Sequence, residues 1–163
     1  MESLPGHGPC FVCGNTNPHS IGIIWQKHPS GRIESTFVFN IHHQGPPGFV
    51  HGGASAAVMD EAMGAAVWQA GFRAATVHLE LDYRKPIPIG EEIRIEGWLS
   101  VEGIDSVTAR GIIYLSDGAM AVEAHAKYAV APQLFKDVPI KADTSDKNYK
   151  TNSQQGSQKS EGT

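Results

Sequence analysis

Asp60 interrupts an alanine-rich stretch, Ala54 to Trp68, in which Val58, Met59, Ala62, Met63 and Val67 supply the larger apolar side chains. Apolar residues on every face predict a buried helix. A carboxylate in such a helix needs a reason, and proton transfer is the first to consider. Upstream, Gln44-Gly45-Pro46-Pro47-Gly48-Phe49-Val50-His51-Gly52-Gly53 ends in two glycines where that helix would start. The first N–H groups of a helix lack intrahelical acceptors, so such a start can hold a developing oxyanion. Asp60 and Gly52 are therefore the candidates for activating water and polarising a carbonyl. Glu61 points about 100° away round the helix, so it is assigned to a structural partner or to solvent. His51 either orients the loop through a backbone carbonyl or exchanges protons.

Gly53 and Asp60 are seven residues apart, roughly 10 Å along a helix axis. That is too far for both ends to serve one carbonyl carbon. Two copies with antiparallel helices about a two-fold axis would bring Asp60 of one to Gly52 of the other.

These residues need an apolar helix, a loop before it and a sheet to hold both. Ile33, Phe37 and Phe39 alternate with polar residues, as in a half-buried strand. The helix is predicted from Gly53 to about Ala70, with Gly71 as its stop. Four strands follow: Thr76 to Tyr83 with Val77, Leu79, Leu81 and Tyr83 inward, Glu92 to Ser100, Ser106 to Leu115, and Ala119 to Val130. Turns at Pro88-Ile89-Gly90, Glu102-Gly103-Ile104-Asp105 and Ser116-Asp117-Gly118 make the last three neighbouring antiparallel strands. One helix against one antiparallel sheet is an α+β class, and the alanines with Gly64 are expected to let the sheet close round it.

The 163 residues and net charge of −4 suit one domain. Residues 1–25 read as an N-terminal arm ending in a short first strand, 20–132 as the domain, and 133–163 as a polar, disordered tail. No basic stripe favours nucleic acid. Neither a transmembrane run nor a signal-peptide pattern is present, which makes the cytoplasm, with reduced cysteines, the expectation. His7, Cys10, Cys13 and His19 could make a four-ligand zinc site. A lone CxxC does not demand one, so burial as small apolar thiols is expected, with no metal and no cofactor.

With its Gly45-to-Gly53 loop and Asp60-Glu61, the chain resembles hotdog-fold acyl-CoA thioesterases of the phenylacetate-pathway-type branch. Cys10-Phe11-Val12-Cys13-Gly14 and Asp82-Tyr83-Arg84-Lys85-Pro86 are similar to segments of that branch, and the resemblance runs from about Cys10 to Pro132. It implies a hotdog fold that pairs into dimers and often tetramers, with acyl-CoA as substrate. It implies Asp60 as catalytic carboxylate, acting as base or nucleophile, the Gly52 N–H on the thioester carbonyl, and Thr76 orienting water. Gln44 stands where some relatives carry an Asn. Gly53, Gln44 and Phe49 are candidate acyl-CoA contacts, and Arg84 and Lys85 candidate partners of the coenzyme A phosphates. Two alternatives are a non-catalytic acyl-thioester-binding module and an enoyl-CoA hydratase or dehydratase. The latter would need His51 and Asp60 together.

Overall fold

The computed structural model describes residues 1–102 and 106–135. The expected turn through Gly103-Ile104-Asp105 and the expected polar tail beyond residue 135 lie outside them. One α-helix, α1 (Gly52–Gln69), packs on an antiparallel sheet of seven strands. The strands are β1 (Glu2–Ser3), β2 (Gln26–Lys27), β3 (Ile33–Val38), β4 (Ala74–Tyr83), β5 (Glu92–Glu102), β6 (Ser106–Tyr114) and β7 (Met120–Val130), ordered β1-β2-β3-β5-β6-β7-β4. This is the expected α+β hotdog arrangement, and the last three strands pair in sequence as their short turns predict. No helix among the described residues is long and apolar enough to cross a membrane.

Val58, Met59, Ala62, Met63, Ala66 and Val67 of α1 are fully buried, together with Ile93, Ile95, Val107 and Ile113 of the sheet. The close approach depends on a glycine pair in the sheet. Gly97 and Gly111 face each other across β5 and β6. A Cβ on Gly97 would stand 2.6 Å from the Ala62 carbonyl oxygen, and one on Gly111 2.3 Å from Met59 Cε. Gly64, expected to have this role, does not: a Cβ there would meet only the Tyr128 side chain, at an ordinary 3.9–4.0 Å. Gly97→Ala is therefore expected to lower stability by about 1–3 kcal/mol, because main chain rather than a flexible side chain must give way. Gly64→Ala should be neutral or gain about 0.5–1 kcal/mol from helix propensity. Urea midpoints of the two variants would check this; equal midpoints would refute it.

Three expectations need correction. Ile21, Ile23 and Trp25 do alternate inward, but the first strands are β1 and β2, because the Ile21, Gly22 and Ile23 N–H groups bond the carbonyls of Phe11 and Val12 instead of a neighbouring strand. Residues 132–135 form a 3-10 turn rather than the start of a polar tail, anchored by Phe135 edge-on to Trp68 at 4.9 Å. Leu79 and Leu81 pack against the core, yet Val77 and Tyr83 are 59% and 56% exposed. The register breaks between Thr76 and His78, so a bulge at Val77 shifts the alternation, and among the described residues β4 is the outermost strand with β7 as its only neighbour.

Candidate active site

The loop before α1 is closed by its own bonds. Gln44 Oε1 accepts the Gly48 N–H at 2.9 Å, and the Gly45 N–H reaches the Phe49 carbonyl at 3.0 Å. His51, in extended conformation, caps the helix: its Nδ1 accepts the Gly53 N–H at 2.8 Å. The imidazole therefore orients the loop through an N–H, not through a carbonyl. Its own carbonyl takes the Ala54 and Ser55 N–H groups. The Gly53 N–H is thus occupied, whereas that of Gly52 meets no acceptor among the described residues. A contact not foreseen from sequence fixes the Gly52 peptide, since the Tyr83 hydroxyl donates to the Gly52 carbonyl at 2.9 Å.

Asp60 is reached from the other end of β4. Thr76 Oγ1 donates to Asp60 Oδ1 at 2.8 Å, and Oδ2 has no partner among the described residues. The Tyr128 hydroxyl donates to the Asp60 backbone carbonyl at 3.4 Å. Burial, and secondly the Asp60 charge, push that phenol well above its ordinary range, so it remains a donor. The expectation of a buried Asp60 needs qualifying: among the described residues it is half-exposed, because it lies beside the outer strand, which no further described strand covers.

A cavity of about 640 Å³ opens at the helix start, walled by Phe11, Pro18, His43, Gln44, His51 and Gly53 among others. Asp60 and Phe49 are not part of its lining; the Phe49 main chain instead bridges to Pro88. Gln44, Gly53 and His51 are thus brought together, while Asp60 with Thr76 forms a separate pair. His51 and Asp60, nine residues apart, sit roughly 13 Å apart along the helix and form no acid–base couple within the chain. Arg84 is held by Glu123 at 2.6 Å and Asp82 at 3.5 Å. Lys85 is exposed and makes no ion pair among the described residues.

Glu61 turns away from Asp60 toward the arm, where its Oε1 lies 2.9 Å from Cys13 Sγ and 3.2 Å from His7 Nδ1. It has the structural partners expected of it. Cys13 is buried in the apolar core and Cys10 packs against it, as anticipated, but both thiols also face the Glu61 carboxylate. Burial and then the Glu61 hydrogen bond raise the Cys13 thiol far above its usual range. Burial also opposes ionisation of Glu61, but hydrogen bonds from His7 and Cys13 prevail and hold its carboxyl below the ordinary value.

The family model of the thioesterase superfamily matches residues 47–122, from the helix-start loop into β7. The fold is that of hotdog thioesterase structures. Acyl-coenzyme A thioesterase THEM4 of Mus musculus is 34% identical over 105 residues, 64% of this chain and 42% of that protein. Its Rattus norvegicus counterpart is 40% identical over 73 residues, 44% of this chain and 31% of that protein. The matched part of this chain thus spans about a third to two-fifths of those curated relatives. Among solved structures, a thioesterase superfamily protein aligns with TM-score 0.72 and 29% identity, over 74% of this chain and 60% of that one. A thioesterase protein from Streptococcus pneumoniae TIGR4, solved with coenzyme A, aligns with TM-score 0.62 and 20% identity, over 66% of this chain and 84% of that one. The same protein was also solved as a Thr-to-Ala and as an Asp-to-Ala variant, at positions sixteen residues apart.

Proposed function

We propose that the protein is an acyl-CoA thioesterase that works as a homodimer, with each site drawn from both subunits. Supporting this is the way β4 touches α1 at its two ends: Thr76 at Asp60, Tyr83 at Gly52. Among the described residues, the outer edge of β4 is ten residues long, exposes Val77 and Tyr83, and pairs with no further strand. Such an edge is a template for another strand. An antiparallel pairing of β4 with its two-fold copy, centred near Leu79 and Glu80, sets Thr76 opposite Tyr83 of the partner subunit. It thereby carries Asp60 toward Gly52 of the partner subunit, closing the gap that one helix leaves open, and covers the half-exposed carboxylate.

In this site the unclaimed Gly52 N–H, at the positive end of α1, polarises the thioester carbonyl. Thr76 fixes Asp60 Oδ1, which leaves Oδ2 to take a proton from water. The water oxygen bonds to the acyl carbon as the C–S bond breaks, and the proton passes to the departing thiolate, giving a carboxylic acid and coenzyme A. The sixteen-residue spacing of the altered Asp and Thr in the Streptococcus pneumoniae protein equals that of Asp60 and Thr76, which favours these two as the working pair. Coenzyme A phosphates would compete with Glu123 for Arg84 or bind Lys85. Two free cysteines fit a reducing, cytoplasmic setting.

Thiol release from a panel of acyl-CoAs tests the reading. Catalytic turnover of at least one is expected. Binding without release from any would mark a non-catalytic binding module and overturn it. Thr76→Ala removes a hydrogen bond to a charged group, worth about 1.5–3 kcal/mol. It should lower kcat about 10–100-fold with KM little changed; an unaltered kcat would remove Thr76 from the site.

A further inference from the structure

His7, Cys10, Cys13 and Glu61 are separated by as many as 54 positions in sequence yet place one ligand atom each within 4.8 Å of all the others. We infer that these four residues form a structural zinc site that clips the N-terminal arm to α1 beside Asp60.

The separations fit a common central ion. Bonds of 2.0–2.3 Å from a tetrahedral zinc put neighbouring ligand atoms roughly 3.3–3.8 Å apart. Here Cys13 Sγ lies 3.3 Å from His7 Nδ1, His7 Nδ1 3.2 Å from Glu61 Oε1, and Cys10 Sγ 3.8 Å from both Glu61 oxygens. The 2.9 Å between Cys13 and Glu61 must widen, and the longest separation in the group, up to 4.8 Å, must shorten. Two thiolates with an imidazole and a carboxylate favour zinc over magnesium or calcium, which prefer oxygen donors. Four protein ligands leave no open position, which marks a structural rather than a catalytic ion.

The backbone round the cysteines is shaped for such a purpose. Cys10 and Cys13 sit on one tight turn, closed by the Gly14 N–H on the Cys10 carbonyl at 3.1 Å. A Cβ at Gly14 would lie 2.3 Å from that same oxygen, so the turn excludes any larger residue. The Val12 N–H points at Cys10 Sγ from 3.4 Å, as backbone donors do around a metal-bound thiolate. Glu61 supplies the corner that sequence alone offered to His19, and His7, whose side chain is 60% exposed, gives the ion its way in.

Once clipped, the arm that carries Phe11, Pro18 and Ile21 becomes a fixed wall of the cavity at the helix start. Loss of the ion frees that wall without altering Asp60 itself.

The test is metal content, which does not depend on any acyl-CoA turning over. Full-length protein, untagged and kept reduced without chelator, should carry about one zinc per chain. Replacing zinc with cobalt should give the visible bands of a tetrahedral site and a thiolate charge-transfer band. The Cys10→Ser, Cys13→Ser double variant should lose both signals, while Glu61→His, which keeps four donors, should retain them even if the double variant folds poorly. Well-folded wild-type protein with background zinc and no cobalt bands on titration would overturn the site. So would a Cys10–Cys13 disulfide in freshly isolated protein, or cobalt bands that survive in the double variant.

Discussion

Asp60→Asn is expected to reduce kcat by about 10²–10⁴-fold, the range that a positioned general base contributes. The amide matches the carboxylate in shape and can still accept from Thr76, so neither a cavity nor a lost contact accompanies the change. Half-exposed Asp60 also takes no part in the buried cluster of Met59, Ala62 and Met63. Circular dichroism and melting should therefore stay near wild type, and acyl-CoA should still bind. Retention of more than about a tenth of wild-type kcat would remove Asp60 from the chemistry. Solvent oxygen-18 in a single turnover separates its two possible roles. Label in the product acid means attack by water; label in the Asp60 carboxyl means that the side chain itself bonds to the acyl group.

Mixed dimers give the second large effect. Gly52→Pro deletes the N–H proposed to polarise the carbonyl while respecting the helix, because proline is well accommodated at a first helical position. His51, in front of it, already has the extended ψ of 133° that precedes proline without strain. Asp60→Asn and Gly52→Pro homodimers should each be nearly inactive. A heterodimer of the two holds one intact site, Asp60 from one subunit with Gly52 from the other, and one doubly damaged site. Random re-pairing of equal amounts makes half of the dimers mixed, so roughly a quarter of wild-type activity should return. If each site lay within one chain, nothing would return, and the shared-site reading would fall.

The helix and the five main strands were legible because their periodicities are strong and their turns carry glycine: Gly31, Gly90 and Gly118 all have the positive φ their positions require. The loop was also legible, and the helix start to within one residue; the resemblance brought Thr76 to the site as a residue orienting water, not its hydrogen bond to Asp60. What sequence hid was contingent on neighbours. Val77 and Tyr83 look inward-facing by alternation, but a bulge and an outermost position turn them to the surface. The role of His51 as acceptor for Gly53 depends on ring orientation, which no spacing encodes. Glu61 meets Cys13 across 48 positions, and only the packing of the arm on the helix could reveal it. The Gly97 and Gly111 pair was equally silent, since a glycine in a strand reads as weakness until the opposing backbone is seen.

That pair has a bearing on selectivity. With the main chain of β5 resting on that of α1 at Gly97, no room for a long tail opens between helix and sheet at that point. In the proposed dimer, room for different acyl lengths would come from the seam between subunits and from the arm over the helix start, so divergence in substrate choice should accumulate along those surfaces while the interior stays invariant in spacing.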